Sequence, residues 1–315
     1  MTKNGKACCT PTNPASSVTL AEPIDFADSG PTAGMRRLEG GVFLMGTNRD
    51  EGFPADGEGP AREVTLRTFH IDIASVNNRQ FSKFVKDSGY RTDAEKFGWS
   101  YVFHDHLSAH NRRHIDDTVL GLEWWCKISG TNWRHPEGPG SNIKRRMDSP
   151  AVHVSWSDAI EYCRWAGKRL PTEAEWEYAV RGGLVQKVFP WGNELKPGGK
   201  HQCNIWQGEF PMHNTCDDGF AGTAPVRSFK PNGYGLYNMV GNVWEWCSDW
   251  FSPDFHLAAA RDNPVGPKSG DRKVMRGGSF LCHDSYCNRY RCAARTANTP
   301  DSSTDNCGFR CVRDV

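Results

Sequence analysis

The stretch Asn232-Gly-Tyr-Gly-Leu-Tyr-Asn-Met-Val-Gly-Asn-Val-Trp-Glu-Trp246 decides the fold. Glycines interrupt it three times, and aromatic side chains fill the short intervals between them. No helical period survives such spacing, and no strand in it can be long. The same texture runs from Arg181 to the end of the chain. The predicted fold is therefore α+β, irregular and loop-rich, with helices confined to the part before Arg181.

Composition agrees. The 315 residues include 32 Gly, 19 Pro and 12 Trp, and mean hydropathy is low. That combination fits a loop-rich chain pinned by aromatic side chains. With 38 basic and 37 acidic residues, the net charge of +1 gives no support for a nucleic-acid partner or a polybasic membrane contact. No apolar run approaches the length of a membrane span. The start, Met1-Thr-Lys-Asn-Gly-Lys-Ala-Cys-Cys9, has no apolar signal core, so a cytoplasmic, reducing location is expected.

Residues 1–30 are rich in Ser, Thr, Pro and Asn and read as a flexible tail. Residues 31–315 show no linker and no repeat, and read as one domain. Within it, Gly40–Gly46 reads as a strand, 47–62 as a loop and Val64–Ile73 as a strand. Asn77–Ser88 reads as a helix with Phe81, Phe84 and Val85 on one face. Residues 91–148 have no clear period. Ser155–Ala166 is a second helix, capped by Ser155 or Ser157, with Ile160, Cys163 and Trp165 directed inward. Pro171–Ala179 is a third, opened by proline and acidic residues.

Twelve cysteines without an export signal point to metal or redox chemistry more than to a disulfide framework. Cys282 and Cys287 are the pair of interest. Two thiolates suit a soft ion such as Cu(I) and leave room for a third sulfur. Zinc would call for four ligands in a closed site, and no matching second pair is evident. Spacing alone also allows a disulfide or two buried thiols. The turn His283-Asp-Ser-Tyr286 between them is long enough for the sulfurs to converge.

The run Arg276-Gly-Gly-Ser-Phe-Leu-Cys-His-Asp-Ser-Tyr-Cys-Asn-Arg-Tyr-Arg-Cys-Ala-Ala-Arg295 resembles the active-site segment of the formylglycine-generating enzymes, or sulfatase-modifying factors, of the prokaryotic cytosolic type. The resemblance extends through Val152-His-Val-Ser-Trp156, Lys168–Tyr178, Asn204–Phe210, Gly241–Trp246 and Gly308-Phe-Arg-Cys311. It implies a variant of the C-type-lectin fold. It also implies a copper-dependent oxidase that uses O2 and a thiol reductant. The substrate would be the cysteine of a Cys-x-Pro-x-Arg segment in an unfolded or nascent sulfatase, and the enzyme a monomer. Cys282 and Cys287 would hold Cu(I), Ser279 and Trp244 would line the oxygen and substrate end, and Tyr286 would wall the peptide cleft.

The resemblance further implies two structural Ca2+ sites. One comprises Asn204, Ile205, Asp218 and Phe220, the other Asn238, Gly241, Val243 and Glu245. Cys163 and Cys311 match a disulfide of exported members, whereas Cys292 matches half of a second bridge whose partner position is Val180. Cys292 is therefore expected to be a free, buried thiol. Cys126, Cys203, Cys216, Cys247 and Cys307 have no assigned role.

The segment His104-Asp-His106…His110-Asn-Arg-Arg-His114-Ile-Asp116 looks like a metal site but reads as a solvated histidine-rich loop. In the tail, Cys9-Thr-Pro-Thr-Asn13 nearly matches the substrate motif, with Asn13 in the place of arginine. It reads as a disordered tail with incidental cysteines; a tethered pseudosubstrate, or a copper-delivery role for Cys8 and Cys9, is the other reading. Rival functions are a non-catalytic lectin-like module, against which the cysteine pair argues, and an iron-dependent sulfoxide synthase relying on His110 and His114.

Overall fold

The computed structural model describes residues 10–13 and 32–315. The chain opens with strands β1 (Met35–Leu38), β2 (Gly41–Met45), β3 (Arg62–Leu66) and β4 (Phe69–Asp72). β2 and β3 form an antiparallel hairpin, with Phe43 opposite Val64. β4 pairs instead with β1. The expected single strand over Val64–Ile73 is thus two. The break falls at Arg67-Thr68, where the Arg67 N–H donates to Asn263 and the Thr68 hydroxyl to the Glu39 carbonyl.

Four helices follow the expected logic of caps. They are α1 (Asn78–Ser88), α2 (Asp93–Phe97), α3 (Trp156–Ala166) and α4 (Glu173–Arg181). Each starts with a reciprocal capping box: Asn77 with Gln80, Thr92 with Glu95, Ser155 with Asp158, and Thr172 with Glu175. Each ends on a left-handed glycine, which satisfies terminal carbonyls without a Cβ clash. Ser155, not Ser157, is the α3 cap. Pro171 lies outside α4 because Thr172 takes the cap position. Trp165 does not point inward as expected; it is 37% exposed, with the Lys83 amine 5.0 Å from its ring.

The segment without a clear period, 91–148, carries α2 and three strands. β5 (Trp99–Phe103), β6 (Asp117–Val119) and β7 (Leu122–Ser129) form an antiparallel sheet with β7 in the middle. Two-residue strands β8 (Gly208–Glu209) and β9 (His213–Asn214) make a small ribbon.

The sheet that positions the site is built from β10 (Trp244–Trp250), β11 (Lys273–Arg276), β12 (Arg295–Asn298) and β13 (Cys307–Gly308), in the order β12-β11-β10-β13. Trp244 to Cys247 are buried, so this strand is covered on both faces. Its indoles find polar partners across the core. Trp246 Nε1 donates to the Val154 carbonyl at 3.0 Å, Trp156 Nε1 to the Cys247 carbonyl at 2.9 Å, and Trp176 Nε1 to Glu245 at 2.7 Å. Finally β14 (Val312–Asp314) returns to pair with β4.

Buried ion pairs supplement this small amount of regular structure. Arg276 bridges Glu173 and Glu177, Arg295 grips Glu173, and Arg310 grips Glu245. Burial pushes the Glu173 carboxyl up, but Arg295 and Arg276 outweigh it and hold the group below its ordinary range. Arg289 and Arg291 bind Asp56 and Glu58, which clamps the loop before β3 onto the segment after Cys287. Among the described residues, no helix is long and apolar enough to cross a membrane.

Candidate active site

Beyond β11 the chain turns at Gly277-Gly278. A Cβ at Gly277, with φ at +94°, would lie 3.0 Å from the Met239 carbonyl and 3.1 Å from the Trp176 ring. The turn is tied to the start of β10. The Gly241 N–H donates to Gly277, and the Phe280 N–H to Asn242. Ser279 is thereby held near the start of β10.

Cys282 and Cys287 are both buried, at 0% and 1% exposure. The His283 carbonyl accepts from the N–H groups of Tyr286, Cys287 and Asn288 at 2.9–3.1 Å. This is the turn that the four-residue spacing requires. The Ser279 N–H donates to the Cys282 sulfur at 3.3 Å. Tyr290 stacks on Phe189 at 6.1 Å. Its hydroxyl is pushed well above the ordinary range, first by burial and then by Asp284, Cys287 and Cys282 nearby.

Ser279 is fully buried, and its hydroxyl accepts from Asn306 Nδ2 at 3.0 Å. The Asn306 carbonyl in turn accepts the Trp244 N–H at 2.8 Å. Trp244 is fully buried, and its Nε1 has no hydrogen-bond partner. Tyr286 stacks on Phe210 at 4.8 Å and meets Trp124 edge-on at 5.4 Å. Trp206 lies against Phe210, and its N–H donates to the Cys282 carbonyl. Asn306, Tyr290, Trp124, Trp206 and Phe210 were not singled out from the sequence. Asn306 adjoins the Cys307-Gly-Phe-Arg310 run, which was the available signal.

The expected calcium ligands occupy two loops. Asn204 Oδ1 and Asn238 Oδ1 are both buried oxygens without a partner. Gln207 Nε2 bonds both the Ile205 carbonyl and Asp218, and Asp218 also accepts from Phe220 N–H. Burial raises the Asp218 carboxyl. Gly241 lies against Asn204, where a Cβ would meet its carbonyl at 2.3 Å. Val243 is buried, and Glu245 is already paired with Arg310 and Trp176.

Cys163 and Cys311 face each other with sulfurs 3.6 Å apart, beyond the length of a disulfide bond. Cys292 is a buried thiol pushed up to about 12 by burial, and Val180 is buried in α4. Cys8 lies outside the described residues, as does Cys9.

The histidine segment corrects the reading of a solvated loop. His106 is half-buried: its Nδ1 meets Asp305 at 3.0 Å, and its ring lies 5.2 Å from Phe280. Burial opposes its charge, yet the Asp305 carboxylate outweighs that and holds its pKa above the ordinary value. His106, Phe280 and Asp305 line a cavity of about 800 Å³ together with Asn111 and Arg146. His110 and His114 are exposed, with rings 4.5 Å apart, but Asp116 is turned away to accept the Ser129 N–H. Among the described residues, no three His, Cys, Asp or Glu side chains converge as a metal cluster.

Residues 10–13 correct the tail. Thr10, Pro11 and Asn13 are buried against the loop that follows β12. The Asn13 N–H donates to Ser302 Oγ and its Nδ2 to the Asp301 carbonyl, both at 2.9 Å, and Asn298 Nδ2 donates to the Pro11 carbonyl.

Residues 22–315 match the family model of the sulfatase-modifying factor enzyme 1-like domain. The chain is 59% identical to the formylglycine-generating enzyme of Thermomonospora curvata over 89% of its own length and 93% of that protein. With the Streptomyces coelicolor formylglycine-generating enzyme, identity is 56% over 95% of each chain. Among solved structures, PvdO from Pseudomonas aeruginosa is similar, with a TM-score of 0.65, 26% identity, and coverage of 89% of this chain and 94% of that one. The chain belongs to the sulfatase-modifying factor family, the formylglycine-generating enzymes, and has the family's loop-rich, C-type-lectin-like fold.

Proposed function

We propose that the protein converts the cysteine of a Cys-x-Pro-x-Arg segment in a sulfatase to Cα-formylglycine, with Cu(I) held by Cys282 and Cys287 and with O2 and an external thiol consumed. The observation that carries this reading is the pair of buried cysteines on one tight turn, in a family of formylglycine-generating enzymes.

The donor set supports the metal. Two sulfurs are soft ligands, a backbone N–H fixes the sulfur of Cys282, and no group of three His, Cys, Asp or Glu among the described residues forms a closed metal site. A substrate sulfur can then be the additional ligand. When bound, Cu(I) would supply the one-electron reactivity toward oxygen that a closed-shell peptide lacks.

The chain's own residues do the rest. Ser279 and Asn306 hold the 277–282 turn against β10 and fix the Cys282 sulfur. Trp244 and the sheet beneath it exclude water. Tyr286, Phe210 and Trp124 offer an aromatic wall for an extended peptide. The reaction balances when oxygen takes two electrons from the substrate CH2–SH carbon and two from a pair of external thiols. The products are the aldehyde, hydrogen sulfide, a disulfide and water.

Two Ca2+ ions at the Asn204 and Asn238 loops belong to the same proposal. The partnerless amide oxygens at both positions support it, since such oxygens suit a hard cation. Chelation should lower the melting temperature and added Ca2+ restore it; an unchanged melting curve would remove the calcium sites from the account.

Mass spectrometry of a Cys-x-Pro-x-Arg peptide incubated with protein, Cu(I), oxygen and thiol tests the function. Replacement of the thiol by an aldehyde is expected. A peptide that keeps its thiol under these conditions would overturn the reading.

A further inference from the structure

We infer that residues 10–13 are a pseudosubstrate, occupying in cis the part of the peptide groove that lies downstream of the reacting cysteine. The inference rests on the proposed oxidation of a Cys-x-Pro-x-Arg segment.

Three hydrogen bonds hold the segment, and they come from one stretch of chain. Asn298 binds the Pro11 carbonyl, Asp301 accepts the Asn13 amide and Ser302 accepts the Asn13 N–H. Four residues beyond Ser302 stands Asn306, whose side chain bonds Ser279, and the Ser279 N–H bonds the Cys282 sulfur. The stretch of chain that anchors the segment thus also carries the residue that reaches the thiol centre. Four extended residues reach about 14 Å. That is the span between the first and fifth positions of the motif, and it also bounds the distance from Ser302 to Asn306.

The docked residues carry the motif's pattern. In Cys9-Thr-Pro-Thr-Asn13 the first and third positions match Cys-x-Pro-x-Arg, and only the fifth differs. The burial pattern follows the motif: Pro11 and Asn13 are buried, and the variable position Thr12 is exposed. Asn13 fills its place incompletely, since its Oδ1 is buried without a partner. The same loop buries Asp301 and Asp305, and Asp305 Oδ1 is also without a partner. Asp301, whose carbonyl anchors Asn13, also carries a carboxyl group, and a carboxyl group suits an arginine better than an amide. The fifth-position difference therefore makes the tethered segment a weak occupant that a true substrate displaces.

Hydrogen exchange on the full chain tests this, with no turnover and no copper required. The probe is a peptide containing Ser-x-Pro-x-Arg, serine standing for the reactive cysteine. The Asn13 amide should exchange slowly in the free protein and lose that protection when the peptide is added. Rapid exchange in the free protein would overturn the docking. Protection unchanged by saturating peptide would show that the segment is a structural strap away from the groove, and would overturn the inference. In the full chain carrying Pro11→Gly with Asn13→Ala, the same labelled peptide should bind roughly three- to tenfold more tightly by fluorescence anisotropy. An identical Kd would contradict competition. A peptide that displaces the segment yet is never oxidised when its cysteine is restored would sink the oxidase reading and leave this one standing.

Discussion

Asn306 donates a 3.0 Å hydrogen bond to the Ser279 hydroxyl, and Ser279 in turn presents its N–H to the Cys282 sulfur at 3.3 Å. A residue at the end of one loop thus sets the position of a thiol on another. Both groups are fully buried, so neither bond has water to compete with it.

Ser279→Ala removes the hydroxyl that accepts from Asn306 Nδ2 and from the Leu281 N–H. Misplacement of the sulfur should lower kcat for peptide conversion by about tenfold or more, with a smaller change in KM. The kcat against KM split, measured on a Cys-x-Pro-x-Arg peptide, checks this. Unchanged kcat would remove Ser279 from the positioning role.

Arg276 bonds Glu173 and Glu177 at once, inside the core and next to the turn that carries the site. Arg276→Met leaves two buried carboxylates short of a partner. The expected loss is about 3–5 kcal/mol in chemical denaturation. The triple variant that adds Glu173→Gln and Glu177→Gln should recover part of it. No recovery would mean that the loss came from packing and not from stranded charge.

Much of this architecture was legible in the chain, and the reasons for the remainder are physical. Asn77–Ser88 and Ser155–Ala166 announce themselves through local caps and apolar spacing, and both helices form there. Trp99–Phe103 and Leu122–Ser129 did not, because the first is buried almost throughout, the second lacks a regular alternation, and the two are paired across a long gap in sequence. The clamp between Asp56 and Arg289 joins residues 233 positions apart, for which no local pattern exists. Cys282 and Cys287 stand out in the sequence because both lie in one short motif, Arg276–Arg295. Asn306 does not, because its role depends on how two loops meet. Thr10–Asn13 read as polar tail because its three anchoring partners lie 287–289 residues downstream.

His106 provides a pH signature. Its folded pKa is raised by Asp305 above the ordinary value near 6.5. For a base with a raised pKa, the stabilisation is fully present below the unfolded pKa. It is lost as pH rises through the folded one. The melting-temperature gap between wild type and His106→Gln should therefore be widest below about pH 6.5 and narrow above it. A gap that widens with rising pH would contradict the imidazolium–carboxylate pair.

The central claim is that Cys282 and Cys287 act together as the oxidising centre. The turn that carries them is held by backbone bonds to the His283 carbonyl, and serine differs from cysteine by one atom, so each single replacement is expected to keep the turn. The direct measurement is peptide conversion by mass spectrometry for wild type, Cys282→Ser and Cys287→Ser, each supplied with Cu(I), oxygen and thiol and each verified as folded by its melting curve. The account predicts aldehyde with the wild type and none above background with either variant. Full conversion by either folded variant would contradict it.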